Sequence, residues 1–546
     1  MSRLRRLMKS ILGRVPLFVE LWQHIRPASG EIPGGYRLDR LQAELPGWVR
    51  SVTRARGEME AQEPKRILVF GFFSWWVEHG TLFGLWLSAQ GHDVDFAYLP
   101  YRRWTERVGR FDLRRQQAYL KQVLAPVTRY MSCYDLLDLP QPDLPVELAR
   151  SIDEQSVTDV QYIRRWEAVD VVEGGEDRDL YLLREGMNLD LARAAYGLMK
   201  DKRYDMIMLP NGSILEFGTA YRVVDYLNVP VITYEFGEHR ERIWMAQSSK
   251  VMMQDTNDLW AARGDTPLTE QESQALAELR MARRSGRKWS IFSRQWQTQE
   301  SRGAQAARTF LGLDPTRPIV LLCTNVVGDS MSLGRQLFTD GMADWLERTV
   351  RYFADRPDAQ LVIRVHPGEP QLGGFPSEEI VQAALPQMPE HVIVVPPEAK
   401  INTYDLVEVA NIGLAYTTTV GLEMAMSGIP VVVAGLTHYR GKGFTYDPNT
   451  FEEYLAMIDA LLAEGLQARL DERQVTLAQR YAYRYFFEYA LPFPWHLQHF
   501  WQDVAERPLE DQLKPAALER YGRTLRSLLG EPIRWESVEH EVRIAG

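Results

Sequence analysis

The spacing of apolar and polar positions from residue 65 onward predicts short strands separated by helices. The run RILVFGFF (66–73) predicts a strand, TLFGLWLSAQG (81–91) a helix closed by a glycine, and DVDFAYL (93–99) the next strand. Further strands are predicted in DMIMLP (205–210) and VPVITYEFGE (229–238). Strands alternating with helices are typical of a parallel sheet.

A second alternating series follows a charged, weakly apolar stretch at 262–308, which we interpret as a connection between domains. Its strand candidates are 318–323, 359–365, 391–395, 410–416 and 429–435. The aromatic stretch at 481–501 predicts packed helix. The boundaries we expect are an N-terminal extension at 1–60, an acceptor-side domain at 61–290, a nucleotide-sugar domain at 305–475, and C-terminal helices at 476–546 packing back across the domains.

Composition narrows the function classes. The net charge of −10 argues against a general nucleic-acid binder, whose affinity rests on a basic face. Cys133 and Cys323 are the only cysteines, so neither a disulfide scaffold nor a cysteine zinc site is expected, and a cytoplasmic location fits. Asp-Val-Asp at 93–95 lies at the start of a strand, the wrong end of a sheet for a ligand site, so no metal or cofactor is expected.

The N-terminal segment, residues 1–22, sets basic residues among apolar ones and lacks the features of a signal peptide. One interpretation is a basic amphipathic helix on the anionic inner face of the plasma membrane, which would make the protein peripheral. The other is a helix packed on its own protein with a solvated basic face. No run of about 18 apolar residues is present.

Ligands of parallel sheets bind beyond the carboxyl ends of the strands, so two facing sheets would define one cleft. His366 and Pro367 directly follow a predicted strand. The loop after the predicted strand at 410–416 carries the hydroxyls of Thr417, Thr418 and Thr419, followed by Gly421 at the start of a helix. Hydroxyl groups beside the free amides of a helix start suit the binding of a phosphate. Glu423, in the first turn of that helix, either complements the helix dipole or binds a ribose diol.

The loop at 436–445 adds His438, Tyr439, Arg440 and Lys442, which could supply cationic charge to a diphosphate or carboxylate. Together these loops predict a nucleotide site in which His366 donates to a phosphate.

The segments RVHPGEP, NTYDLVEVANIGLAYTTTVGLEMAMSGIPVVVAG and HYRGKGFT resemble the capsule polysaccharide biosynthesis family of glycosyltransferases. That family includes transferases of the acidic sugar Kdo. The resemblance covers roughly residues 200–500 and implies the GT-B fold, an α/β architecture of two Rossmann-like, doubly wound domains facing a cleft. It also implies that His366, Thr418, Thr419 and Glu423 bind the donor, although threonines stand where such loops often have serine.

An inverting sugar transfer needs a group that takes the acceptor proton. Glu235, Glu238 and His239 share one post-strand loop, and Glu235 is favoured because it comes first and matches the Glu-x-Gly of the family. A purely structural role for Glu235 is the alternative.

Three further residues are candidates for acceptor or sugar contact. Asn211 and Gly212 form a post-strand turn, and His79 follows the first strand. Each is equally compatible with a role in the turn alone.

The sequence therefore predicts a glycosyltransferase that moves a sugar, with a Kdo-like acid as one candidate, from a nucleotide-activated donor to a surface polysaccharide or glycolipid acceptor. The alternatives are a nucleotide-sugar 2-epimerase, a CDP-glycerol-type phosphotransferase, and a non-catalytic glycan- or nucleotide-binding protein.

Overall fold

The computed structural model describes residues 3–26, 30–56, 63–285 and 299–537, with side chains from Met8 onward. The chain forms two compact units that interleave along the sequence. The first unit contains residues up to 160, 170–252 and 491–533, and the second contains 161–169, 253–490 and the end of the described chain.

The regular elements follow one another in alternation through most of the chain. The strands are β1 (Arg66–Gly71), β2 (Asp93–Tyr98), β3 (Met131–Asp135), β4 (Met206–Pro210), β5 (Val231–Glu235), β6 (Arg242–Gln247), β7 (Ile319–Cys323), β8 (Gln360–Arg364), β9 (Val392–Val395), β10 (Ile412–Ala415), β11 (Val431–Val433) and β12 (Leu491–Pro492). The helices are α1 (Arg3–Leu12), α2 (Phe18–Ile25), α3 (Asp39–Arg56), α4 (Phe73–Ala89), α5 (Arg110–Leu124), α6 (Val146–Arg164), α7 (Arg178–Lys202), α8 (Leu215–Tyr226), α9 (Asn257–Arg263), α10 (Glu270–Ser285), α11 (Ala304–Leu311), α12 (Met342–Ala354), α13 (Glu369–Leu372), α14 (Ser377–Ala384), α15 (Thr403–Val409), α16 (Val420–Met426), α17 (Phe451–Glu464), α18 (Glu472–Tyr483), α19 (Phe500–Glu506), α20 (Leu509–Gln512) and α21 (Pro515–Leu528).

The sheet of the first unit has the order β12-β6-β5-β4-β1-β2-β3 among the described strands. Its first five strands in the chain are parallel and take the order 3-2-1-4-5 of a Rossmann-like fold. β6 and β12 extend the edge in antiparallel fashion. Strands β1, β4 and the first four residues of β5 are almost wholly buried, as expected for a parallel sheet covered on both faces.

The sheet of the second unit has the order β11-β10-β7-β8-β9, and all its described strands are parallel. Renumbered within the unit, the order is again 3-2-1-4-5. Cys323, the last residue of β7, lies opposite both Arg364 of β8 and Ala415 of β10, so the loops after these three strands start side by side. The α/β class with two Rossmann-like sheets is therefore confirmed.

The stretch at 262–308 is more than a connection. α10 lies within it and belongs to the second unit, and the division between the units falls after Met252, whereas the sequence placed it between residues 290 and 305. Arg283 of α10 is buried against Glu423 of α16, which anchors the helix to the second unit. The charged surface of α10 concealed this contact in the sequence.

The aromatic stretch at 481–501 is packed, as predicted, but only its beginning is helical. α18 passes into a π-helical turn at Arg484–Glu488, after which the chain forms β12. Pro492 and Pro494 lack the amide hydrogen that would continue a helix, which explains the change of structure.

The two N-terminal helices pack on α5, which confirms the packing part of the second interpretation for the described residues. The side that they expose is largely apolar, not the solvated basic face that was expected. The docked side combines the fully buried Val19 with polar contacts. Lys9 forms an ion pair with Asp112 at 2.7 Å, and Glu20 pairs with Arg114. Among the described helices, none combines the length and the apolar character needed to cross a bilayer.

Candidate functional site

Glu235 and Asn211 lie side by side at the carboxyl edge of the first sheet. Pro210 of β4 is in register with Tyr234 of β5, which brings the residues that follow them together. Asn211 Nδ2 donates a hydrogen bond to Glu235 Oε2 at 3.2 Å, and the backbone N–H of Phe236 donates to Oε1 at 3.0 Å. Burial raises the pKa of Glu235, while these two hydrogen bonds oppose the shift. A raised pKa makes the carboxylate of Glu235 a stronger proton acceptor.

The turn that carries Asn211 is held in an uncommon backbone conformation. Asn211 has φ 58° and Gly212 has φ 78°, and Leu215 at the start of α8 has φ 51°. Asp159 fixes this segment because its Oδ1 accepts from the Leu215 N–H at 2.7 Å. Asp159 is itself buried in an ion pair with Arg184 at 3.0 Å. This network holds the turn rigid, so the side-chain amide of Asn211 stays directed at Glu235, as a functional site requires.

The other two candidate bases share the loop after β5 with Glu235. Glu238 and His239 are both half-buried. Burial, aided by the charge of Arg242, lowers the pKa of His239 to about 3, so the imidazole is neutral and a weak proton acceptor at neutral pH. Of these residues Glu235 has the environment that best suits a general base, although its catalytic role stays a prediction.

His79 lies inside α4 rather than in a post-strand loop, because α4 begins at Phe73. The imidazole is 1% exposed and surrounded by aromatic rings. These rings belong to Trp76, Phe83, Tyr234, Phe236, Phe493 and Phe500. Burial lowers the pKa of His79 to about 3. The structure therefore places His79 in the core, out of reach of an acceptor, and corrects the expectation of a sugar contact.

In the second unit, His366 follows β8 and closes a tight turn around Pro367. The backbone N–H of Gly368 donates to His366 Nδ1 at 3.0 Å, and the His366 N–H donates to Thr324 Oγ1 at 3.0 Å. Because Nδ1 accepts a hydrogen bond, the neutral ring carries its proton on Nε2. The turn thus makes Nε2 a donor, which is the property that a phosphate ligand needs.

The three threonines of the loop after β10 differ in their surroundings. Thr417 is held from both sides, since its N–H donates to Asn325 Oδ1 at 3.2 Å and its hydroxyl to the Met331 carbonyl at 3.1 Å. Thr418 is also buried, whereas Thr419 is half-buried at the start of α16. Thr324 and Asn325, which support this loop and His366, were missed in the sequence although they too directly follow a strand.

Gly421 is required by a neighbouring side chain. A Cβ at this position would overlap the hydroxyl of Tyr439. Tyr439 is fully buried and donates to the Thr418 carbonyl at 2.8 Å. The group that approaches Gly421 closely in this structure is therefore the side chain of Tyr439. Tyr439 is wholly buried and positions the threonine loop rather than touching a ligand, which corrects the expectation for that residue, whereas the place of Gly421 in a phosphate site stays a prediction.

Glu423 already has partners in the protein. Its Oε1 accepts from the guanidinium of Arg283 and from the hydroxyl of Tyr404, the latter at 2.9 Å. The carboxylate of Glu423 can lie near a predicted phosphate site because the buried guanidinium of Arg283 neutralises its charge. The ribose contact of Glu423 stays a prediction.

The loop after β11 is packed rather than solvated. Lys442 is 6% exposed, hydrogen-bonds Asn257 Oδ1, and has its pKa lowered by burial. Arg440 donates to the Val433 carbonyl at 2.9 Å. His438 is stacked on Tyr485 with ring centroids 3.8 Å apart. In this structure the charges of the loop serve its own fold.

A cavity of ≈ 290 Å³ lies in the second unit between α10, α15 and α16. Of the predicted donor residues only Glu423 lines it, together with Arg280, Arg284, Tyr404 and Arg469. Sequence reasoning missed these residues, although the basic run RMARR at 280–284 was visible. Within the described ranges, no group of three or more His, Cys, Asp or Glu side chains could hold a metal ion.

Comparison with known proteins agrees with the resemblance found in the sequence. Residues 280–468, about a third of the chain, match the model of a family described as "Capsule polysaccharide biosynthesis protein". No curated protein matches the chain.

Several solved structures are similar at low identity. The β-Kdo 2,4 transferase of Thermosulfurimonas dismutans KpsC is 17% identical over 54% of this chain and 83% of its own, with a TM-score of 0.33. The β-Kdo 2,7 transferase of the same KpsC is 13% identical over 55% and 82%, with a TM-score of 0.32. A putative UDP-N-acetylglucosamine 2-epimerase from Listeria monocytogenes is 12% identical over 77% and 91%, with a TM-score of 0.25.

These structural likenesses are too distant to bear on activity, and the strand order of the two sheets is what establishes the fold. The family match lies in the second unit and includes His366, the threonine loop and the loop after β11. The chain thus resembles the capsule polysaccharide biosynthesis proteins over residues 280–468, as its sequence predicted.

Proposed function

We propose that the protein is a glycosyltransferase that moves a sugar from a nucleotide-activated donor to a surface polysaccharide or glycolipid acceptor. The observation that carries the proposal is the pair of Glu235 and Asn211 at the carboxyl edge of a Rossmann-like sheet. Glu235 has a raised pKa and a fixed orientation, the two properties of a general base that must take a proton from an acceptor hydroxyl. The family match supports sugar chemistry.

In this proposal the second unit holds the donor. His366 would donate Nε2–H to a phosphate, and Thr419, the least buried of the three threonines, would add its hydroxyl. A phosphate of the sugar donor held there would leave as the sugar is transferred. Hydrogen bonds directed at the negative charge that develops on this phosphate lower the activation barrier. A Kdo-like acid carried by CMP is the first donor to test, because the sequence resembles a family that includes Kdo transferases.

The test is an assay of the full chain with CMP-, CDP-, UDP- and GDP-activated sugars, each with and without an acceptor glycan. Transfer requires the acceptor, epimerisation proceeds without it, and a binding protein consumes nothing. We expect a product whose mass increases by one sugar residue only when donor and acceptor are both present. The Glu235→Gln variant is the matched control. Donor consumption that is independent of acceptor, or no consumption of any donor, would overturn the proposal.

A further inference from the structure

The N-terminal helices expose an unusual share of the apolar surface. Seven of the nineteen exposed large hydrophobic side chains in the described chain lie within residues 8–25. We call this set the N-terminal apolar face. Its members are Met8, Ile11, Val15, Leu17, Leu21, Trp22 and Ile25, and they are 40–76% exposed. Exposed apolar side chains that cluster in one segment mark an interaction site more often than singly scattered ones do.

The face results from a docking that buries polar groups beside Val19 and leaves most of the described apolar side chains of the two helices exposed. A surface helix ordinarily buries its apolar side and exposes its polar side. In α2 the polar Gln23 is 4% exposed and accepts from Arg115 Nε at 3.0 Å, while Leu21 and Ile25 on the same helix are more than half exposed. The segment between α1 and α2 is fixed in the same manner, because Arg114 donates to the carbonyls of Gly13 and Val15.

The docking of these helices is specific rather than a loose association. Lys9 of α1 forms an ion pair with Asp112 of α5 at 2.7 Å. A Cβ added to Gly13 would lie 2.8 Å from the backbone nitrogen of Phe111, so the two segments are in close contact. The polar contacts therefore hold the apolar face outward.

The charges around the face indicate its partner. Residues 1–26 contain six basic residues and one acidic residue, although the whole chain has a net charge of −10. Among the basic residues whose side chains the structure describes, Lys9 is paired with Asp112, which leaves Arg14 and Arg26. Arg14 and Arg26 are exposed beside the face, and the guanidinium of Arg26 lies 5.5 Å from the ring centroid of Trp22. Apolar side chains flanked by arginines, with a tryptophan among them, match the interface of an anionic bilayer.

Other partners fit less well. α1 and α2 have ten and eight residues, too few for the roughly 20 that span a bilayer, so the segment would lie on the membrane and not cross it. A second copy of the chain would bring Arg14 and Arg26 close to the same arginines of its partner, and like charges across an interface disfavour association.

We propose that the N-terminal apolar face docks the protein on an anionic lipid bilayer, with the apolar side chains inserted at the headgroup level and the arginines against lipid phosphates. The proposal does not depend on the enzymatic activity.

The test is co-sedimentation of the full chain with phosphatidylcholine vesicles that contain or lack phosphatidylglycerol. We expect binding that requires phosphatidylglycerol and weakens as salt is raised, because screening shortens the reach of the charges. The triple variant Leu17→Ser, Leu21→Ser, Ile25→Ser should bind at least about tenfold more weakly. The matched control is Val146→Ser, Val172→Ser, Met281→Ser, which removes equally exposed apolar side chains elsewhere and should bind like the wild type.

Three outcomes would overturn the proposal. They are the absence of vesicle binding by the wild type, equal loss in both triple variants, and equal binding to vesicles with and without the anionic lipid. Analytical ultracentrifugation tests whether a second copy of the chain binds the face instead. A dimer that the Leu17, Leu21, Ile25 substitutions dissociate, without vesicle binding, would assign the face to a second copy. Both variants change exposed positions only, and unchanged circular dichroism spectra verify that they fold.

Discussion

The side-chain amide of Asn211 donates to the carboxylate of Glu235 across 3.2 Å, and it joins the ends of two adjacent parallel strands. The contact stabilises the charged form of a carboxyl group whose pKa burial has raised. Two opposing influences therefore set the proton affinity of Glu235, and each can be changed separately.

The Glu235→Gln substitution removes the proton acceptor and keeps the shape. We expect turnover to fall by about 10²–10⁴-fold, the usual contribution of a general base, while nucleotide affinity stays nearly unchanged. Steady-state assays and calorimetric titration measure the two quantities. Glu238→Gln is the matched control on the same loop. If Glu238→Gln shows the larger loss, the base is Glu238 instead.

The Asn211→Gly substitution tests the influence of the amide. Glycine tolerates the φ of 58° found here, so the turn is not strained by the change. Loss of the hydrogen bond should raise the pKa of Glu235 further. Since a base must be deprotonated to act, the acidic limb of the rate-against-pH profile should move to higher pH. Ser213→Ala, in the same turn, should leave the profile in place. If the acidic limb of Asn211→Gly stays in place, the pH profile does not report the protonation of Glu235.

Two substitutions of His366 separate contact with the ligand from support of the turn. His366→Ala should weaken the tightest binder among CMP, CDP, UDP and GDP by about 1.5–3 kcal/mol, the range for a hydrogen bond to a charged group, with little change in melting temperature. His366→Asn offers an oxygen that can accept from Gly368 but lacks the Nε2–H, and it should be equally weak. Recovery of affinity in His366→Asn would show that the ring acts only through the turn.

The close contact of Gly421 with Tyr439 predicts a rescue. Gly421→Ala forces a methyl group against the tyrosine hydroxyl and should destabilise the protein by about 1–3 kcal/mol, as overpacking does. Tyr439→Phe removes the hydroxyl, so the double variant should lose less than the sum of the single losses. Urea unfolding of the four proteins measures this coupling. Strict additivity would indicate that another neighbour, such as Ala415, limits the space.

The buried imidazole of His79 predicts a pH dependence of stability. Its pKa of about 3 in the folded protein lies below the ordinary value of 6.5. Above pH 6.5 both states are neutral, and as the pH falls below that value the unfolded chain binds a proton that the folded protein excludes. Stability should therefore fall by up to about 1.4 kcal/mol per pH unit. His79→Leu should show a smaller loss of stability between about pH 7 and pH 5. Equal losses in both proteins would contradict the burial.

The sequence predicted the strands well, because buried parallel strands are continuous apolar runs. All five strands of the second sheet were found to within two residues at either end. β3 and β6 were missed, since MSCYD and RIWMAQ are only partly buried and so lack a continuous apolar run. His79 was misplaced because the start of α4 at Phe73, with a φ of 62°, has no capping residue to announce it.

The rule that ligands lie beyond strand ends located His366, Asn211 and Glu235 correctly at those ends. It could not foresee the partners of Glu423 or Tyr439, since Arg283 and Gly421 meet them through tertiary contacts that no local pattern encodes. Long-range ion pairs between a helix outside the predicted domain and a buried carboxylate leave no periodicity in the sequence.

The aromatic cage of His79 also constrains the order of events during synthesis. Two of the rings around His79 belong to Phe493 and Phe500, which follow residues 253–490 in the chain, as does the edge strand β12. The ribosome therefore makes these parts of the first unit only after residues 253–490. Until then β6 presents an unpaired edge, the kind of surface that recruits other chains. Nascent or truncated chains ending before Leu491 would therefore be clients for chaperones, whereas the second unit has most of its residues available to fold while the first is still waiting.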